Sequence, residues 1–348
     1  MIARQNDQTL FAGRSGFTLV ELLTVIAIIA VLVALVASAA FQVIGVQQQR
    51  STEITIQKVL DALDQQWQAV IDQAKKEPLG NFPFLPGLAG QDPRRQRVVL
   101  TKLMLKQNFP MTFAEANAPS PLPAFPPYLA AMKTAATSGS YGSSANWTAP
   151  VVDANNPRPN IEQESGACLY MALKQNRRGM SFDVDSALGS LEIGTVTIIG
   201  ANKQRADFPT ILDAWGHPLV FYRWPALNLE LNPSAPASGT AAPPFLDPQD
   251  PEGTLNDPTW ATSSNNGFQQ FSQLPNPVCH PLPPGASPTP QSFFLTPVII
   301  SLGPRFGVQK NTSGFKDAFM TLIPTGQPGH GDDSDNIYSY RLRQGKGY

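Results

Sequence analysis

"RSGFTLVELLTVIAIIAVLVALVASAA" fills residues 14–40, and the reading of this stretch decides how the rest of the chain is held. The twenty residues from Leu22 to Phe41 carry no charge and only two hydroxyls, Thr24 and Ser38. As a helix they span ~30 Å, the thickness of a bilayer's hydrocarbon core. Glu21 stands at the head of this run, although a charge deep in hydrocarbon costs about 2.5–3.5 kcal/mol on insertion scales. A carboxylate in that position needs a partner or a purpose. The leader carries Arg4 and Arg14 against Asp7, whereas Arg50 and Lys58 behind the run are accompanied by Glu53. That balance favours a cytoplasmic N-terminus.

Three readings of the segment compete. A secretory signal would use Ala37-Ser38-Ala39 as its small-residue cleavage site, but the apolar region of such signals is shorter and holds no acid. A plain transmembrane anchor fits the length and leaves Glu21 without a role. The third reading gives it one: Gly16-Phe17-Thr18-Leu19-Val20-Glu21, approached by Arg14 and Ser15, closely resembles the class III signal of type IV pilins and type II secretion pseudopilins. The resemblance implies that a prepilin peptidase/N-methyltransferase cuts after Gly16 and methylates Phe17 as the new N-terminus. It also implies that Glu21 is an assembly residue, neutralising the Phe17 amine of a neighbouring subunit. In a low-dielectric setting such a pair is strongly favoured over two separate charges. The partners implied are that peptidase, other pilin-like subunits in a homopolymer or mixed fibre, and an inner-membrane assembly platform. The location implied is a single pass through the bacterial inner membrane with a periplasmic head, then a pseudopilus.

The helix should not stop at Phe41. No proline occurs from Phe17 to Glu77, and Gly45 is the only glycine. Many family members break the apolar run with a proline halfway, which this chain lacks around Ser38. Beyond the run, Ile56, Leu60, Leu63, Trp67, Val70 and Ala74 step by four and three, which is one face of an amphipathic helix. This stripe is expected to pack on the protein's own sheet, and Pro78 and Gly80 to end the helix. The resulting division is a leader at 1–16, a transmembrane and assembly helix at 17–44, an amphipathic helix at 45–77 and a head at 78–348.

Of the 348 residues, 42% are hydrophobic, enough for a core. Charged residues make up 15% and the net charge is -1, which gives no electrostatic reason to expect nucleic acid. Residues 94–107 read as a helix with Val98, Leu103 and Leu105 inward and Arg94, Arg95, Arg97, Lys102 and Lys106 on a solvated face. A Pro-, Ala-, Ser- and Asn-rich surface insertion is expected at 110–160, then a helix at 160–175 that places Cys168 near a packed face. Strands are expected at 195–200, 218–224, 297–303 and 336–342. Residues 225–292 hold 15 of the 34 prolines and read as a second irregular insertion. The fold class expected is α+β: a long N-terminal helix, membrane-spanning in its first half, on a small antiparallel-sheet head of pilin type.

Two islands narrow the resemblance. "LDAWGHPLVFY" (212–222) is similar to the D-x-W-G-N-P-aromatic turn of the major pseudopilin, with His217 in place of asparagine. "IISLGPRFG" and "GDDSDNIYSYRLR" resemble that protein's last strands. In that family the acidic loop can hold a structural calcium, which here points to Asp332, Asp333 and Asp335 as hard oxygen ligands. No other cofactor is expected. Cys168 and Cys279 are the two cysteines and a candidate disulfide if the head is exported. No H-E-x-x-H, phosphate loop or G-x-S-x-G element is present, and the three histidines His217, His280 and His330 lie in Pro/Gly-rich turns, so the expectation is a structural subunit and not an enzyme. A minor or adhesive type IV pilin is the alternative within the class. A secreted or anchored binding protein is the alternative outside it.

Overall fold

The computed structural model describes residues 18–117, 121–138, 161–175, 177, 184–200, 203–223, 249–257, 259–260, 265–272, 297–305 and 337–343. It divides into two units, Met1–Gln48 and Gln49–Tyr348. The described elements are α1 (Leu19–Lys76), α2 (Leu85–Ala89), α3 (Pro93–Asn108), α4 (Phe113–Asn117), α5 (Pro126–Ser138), α6 (Ile161–Leu173) and α7 (Val184–Ala187), then β1 (Ile193–Ile199), β2 (Arg205–Ile211) and β3 (Val220–Tyr222), and finally α8 (Asn266–Ser272), β4 (Val298–Ser301), β5 (Ile337–Tyr338) and α9 (Ser339–Arg343). A long N-terminal helix with small antiparallel sheets and packed helices makes this an α+β fold.

The 58 residues of α1 form one helix, because neither proline nor a glycine pair interrupts them. In the first unit the helix exposes large apolar side chains on every face, from Leu19 to Val46. In the second unit the predicted stripe is buried throughout, at Ile56, Leu60, Leu63, Trp67, Val70 and Ala74. Trp67 meets Phe109 with ring centroids 5.0 Å apart, and Gln66 Nε2 donates to the Leu173 carbonyl at 2.7 Å. The solvent face is braced by Gln57 donating to Asp61 at 2.8 Å and Gln68 to Asp72 at 3.2 Å, one turn apart in each case. At the C-terminal end, Arg97 Nη1 donates to the carbonyls of Ala74 and Glu77 at 2.6 and 2.5 Å, satisfying groups the helix leaves open. The long-range hydrogen bonds named here run to α3 and to the end of α6, and the stripe shares one core cluster with Val196, Ile198, Ala206 and Phe208 of the sheet residues at 193–211.

The basic helix corrects the sequence reading most sharply. Its boundaries agree with expectation, and Asp92 caps it by accepting from the Arg94 backbone N–H at 2.9 Å ahead of Pro93. The predicted solvated face is solvated only in part: Arg94 is exposed and Arg97 half-buried, whereas Arg95, Lys102 and Lys106 are buried with Val98, Leu103 and Leu105. Arg95 donates to Asp257 Oδ2 at 2.5 Å and to the Thr254 carbonyl at 3.0 Å, and stacks 5.0 Å above the Trp260 ring. The covering residues come from 249–260, inside what read as an irregular insertion. There, Thr254–Asn256 form a 3-10 turn and Leu255, Trp260 and Phe271 join the core. The same correction applies at 110–160. Its first part holds α4 and α5, with Met111, Phe113, Tyr128 and Met132 in the core. These short elements lack the length over which periodicity is legible.

Two sheets complete the head. β1 and β2 form an antiparallel hairpin registered from Ile193↔Ile211 to Ile199↔Arg205, with Val196, Ile198, Ala206 and Phe208 turned inward. Pro209 within β2 makes that stretch unlike a strand in sequence, and it is accommodated because β2 is an edge strand of a two-stranded sheet. The second sheet has the order β3-β4-β5, all antiparallel. The last predicted strand is real only at Ile337–Tyr338. At Ser339 the chain becomes helical, and the Ser339 hydroxyl takes the hydrogen bond of the Ile299 N–H at 3.0 Å. Between the sheets runs α6, buried through Leu173. Gly166 is needed there, because a Cβ would fall 2.6 Å from the Leu219 carbonyl oxygen.

Candidate processing and assembly site

The site is built at the start of α1. Thr18 precedes the helix and Glu21 lies in its first turn. The Thr18 backbone N–H and hydroxyl both donate to Glu21 Oε2 at 2.9 Å, and the Glu21 N–H donates back to Thr18 Oγ1 at 3.2 Å. This reciprocal exchange is a capping box, satisfying donors that the first turn cannot pair internally. A carboxylate here also faces the positive end of the helix dipole. One turn on, the Thr24 hydroxyl returns its proton to the Glu21 carbonyl at 2.9 Å, so it presents no unmet donor to an apolar environment. Glu21 thus has a structural role that the sequence reading missed. The Thr-x-x-Glu spacing at a helix start would have revealed it.

From Leu19 the helix is long and apolar enough to cross a membrane, and its most apolar window has no buried residue. Gly16 and Phe17 lie outside the described residues, as do Asp332, Asp333, Asp335 and Cys279. Cys168 is fully buried in α6. Among the described residues, no cluster of three or more His, Cys, Asp or Glu side chains could hold a metal ion.

The head contains two further polar knots. In the turn between β2 and β3, Asp213 Oδ1 accepts from the N–H groups of Trp215 and His217 at 3.0 and 2.9 Å, and its Oδ2 accepts from the Ser301 hydroxyl at 2.6 Å. Gly216 takes φ +81° at the corner, as the sequence required. Burial pushes the Asp213 carboxyl up from its ordinary range, against the pull of its donors. The Ala214 N–H donates to Thr52 on α1 at 3.0 Å, and Glu192 accepts from Thr55 and pairs with Lys58 at 3.3 Å. These contacts dock the turn on the helix. The second knot is an ion pair with almost no solvent contact: Arg223 Nη2 to Glu115 Oε1 at 2.6 Å, with Arg223 Nη1 also donating to the Phe109 carbonyl at 2.8 Å. Lys106 lies close by, and burial pushes its ammonium down to about 8.

Comparison with known families identifies residues 12–37 as a prokaryotic N-terminal methylation motif. No curated protein and no solved structure matches the chain. The matched segment contains Gly16, Phe17 and Glu21 and ends within the exposed apolar part of α1. The match supports a class III prepilin-like N-terminus.

Proposed function

We propose that this chain is a structural subunit of a pilus-like fibre, a type II secretion pseudopilin processed by prepilin peptidase and assembled through its N-terminal helix to support protein export. The observation that carries the reading is the methylation motif at residues 12–37, with Glu21 at the head of an apolar helix that continues into the core of a folded head. Prepilin peptidase would cut after Gly16 and methylate Phe17. The apolar half of α1 would hold the subunit in the inner membrane with its head in the periplasm, until an assembly platform transfers it to the fibre. There the Phe17 amine of one subunit and the Glu21 carboxylate of another would neutralise each other. The D-x-W-G-x-P turn, built on Asp213 and docked on α1, supports a pseudopilin over other pilin-like subunits. The acidic loop Asp332, Asp333 and Asp335 would add a structural calcium, and native mass spectrometry with and without a chelator tests that part.

Intact mass and the N-terminal peptide of the membrane-extracted protein from its native host test the proposal. A chain beginning at methylated Phe17 is expected. One beginning at Ala40 or Met1 would overturn it.

A further inference from the structure

A third buried guanidinium, after those of Arg95 and Arg223, lies in the head with no carboxylate among its partners in the described residues. Arg177 follows the C-terminal end of α6 and is buried. All five of its N–H groups are used. Nε donates to Asn108 Oδ1 at 3.2 Å, and Nη1 donates to the Ala172 carbonyl at 2.7 Å and to Gln66 Oε1. Nη2 donates to the Asn108 carbonyl at 3.0 Å and to the Tyr128 hydroxyl at 2.9 Å. The guanidinium plane stacks on Phe109 at 4.9 Å, and Phe109 in turn meets Trp67. Gln66 and Trp67 belong to α1, Asn108 to α3, Tyr128 to α5 and Ala172 to α6, so one side chain touches four helices directly or through a ring.

The chemistry of the socket is particular. A buried charge held only by neutral acceptors is tolerable when every donor is satisfied, and a single missing acceptor leaves an expensive orphan. The planar five-donor fork is what fits such a socket, and a lysine with three donors on a point charge cannot reproduce it. Gln66 is the acceptor that ties the fork to α1. It is itself fixed by donating its amide to the Leu173 carbonyl, at the end of the helix that precedes Arg177. Tyr128, whose hydroxyl burial pushes up to about 12, stays protonated and donates its own proton to the Asn108 carbonyl.

We propose that Arg177 is a latch that locks the head half of α1 in place: withdrawing its guanidinium releases the helix from the head before the head itself unfolds. This does not depend on what the helix anchors or on whether a fibre forms. It predicts a local effect, since Gln66 ties the middle of the Leu60–Ala74 stretch to this socket, whereas Arg97 holds only the carbonyls at the helix end.

The test is hydrogen–deuterium exchange on the full-length protein in detergent, comparing Arg177→Lys and Gln66→Leu with the parent. Gln66→Leu keeps Arg177 in place and removes both bonds that Gln66 makes from α1, to the guanidinium and to the Leu173 carbonyl, so it serves if the arginine variant folds poorly. At least tenfold faster exchange across residues 60–74 is expected in both, with β1 and β2 unchanged, and the double variant should be no worse than the worse single one. Unchanged exchange in α1, equal acceleration in helix and hairpin, or additive effects in the double variant would each overturn the latch.

Discussion

The two halves of α1 are one helix by hydrogen bonding and two different objects by side chain. Residues 19–46 present leucine, isoleucine and valine on every face with none buried, whereas residues 52–74 bury one stripe and show glutamine and aspartate on the other. A helix apolar all round is stable only inside something else apolar, and an amphipathic one needs only a core on one side. The boundary between the two compact units at Gln48 falls where this change occurs. The second half is therefore held by the subunit's own core, whereas the apolar side chains of the first half stay exposed among the described residues. Each half fails differently when a residue is changed.

The largest effect should come from Glu21→Ala. The variant should insert and be cleaved like the parent, yet be almost absent from fibres, as read by immunoblot of sheared fibre against membrane fractions. The head's thermal unfolding should not move, since the bonds described for Glu21 run to Thr18 and Thr24 of its own helix start. Wild-type incorporation would break the idea that the first half depends on its single carboxylate. Glu21→Gln sharpens the test, because an amide can still complete the capping box while carrying no charge. It should assemble as badly as the alanine variant.

In the head the comparison turns to the core. Glu115→Ala removes the carboxylate that pairs with the buried Arg223 guanidinium at 2.6 Å and should destabilise by about 3–5 kcal/mol in denaturant unfolding. Leu63→Ala empties a fully buried site on the stripe and should cost about 2–5 kcal/mol. Leu32→Ala in the exposed half removes as many atoms and should leave head unfolding unchanged. If Leu32→Ala lowered the head's stability as much as Leu63→Ala, the division of α1 would be wrong.

Lys106 supplies a pH dependence with a definite sign. Its folded value of about 8 lies below the ordinary lysine value of 10.5, so the folded state disfavours the charged form. The resulting penalty is fully present below about pH 8 and is relieved as pH rises toward 10.5. Head stability should therefore increase over that window. Lys106→Met should remove the rise and gain stability at neutral pH, provided that Glu115 keeps Arg223 as its partner.

What the sequence revealed and what it hid follow the same divide. The long helix, its end before Pro78 and the stripe from Ile56 to Ala74 were legible because a period of 3.6 repeats over many turns. The Asp213 turn was legible because glycine and proline have fixed conformational meanings. The burial of Lys102 and Lys106 was not legible, because lysine on a helix is ordinarily a surface residue and the groups beside them lie on other elements, Glu115 on α4 and Gln249 far along the chain. β2 was hidden by its proline, and α4 and α5 by their shortness and composition. At the candidate assembly site, the place of Glu21 in the motif was readable from sequence, and its capping bonds to Thr18 were readable in principle from the Thr-x-x-Glu spacing.

Those bonds give the smallest prediction and the finest test. Thr18→Ala removes the hydroxyl that both donates to Glu21 Oε2 and accepts from the Glu21 N–H, but keeps the backbone N–H that also holds the carboxylate. Loss of an N-cap hydroxyl costs about 1 kcal/mol of helix stability, confined to the first turn. If Glu21 acts in assembly through its charge, Thr18→Ala should fray that turn and slow fibre formation only severalfold, leaving processing and head stability intact. If Glu21 mattered mainly as a capping residue, Thr18→Ala would match Glu21→Ala in severity and Glu21→Gln would be mild. Fibre yield from the three variants side by side separates a charge that recruits a neighbour from one that only closes its own helix.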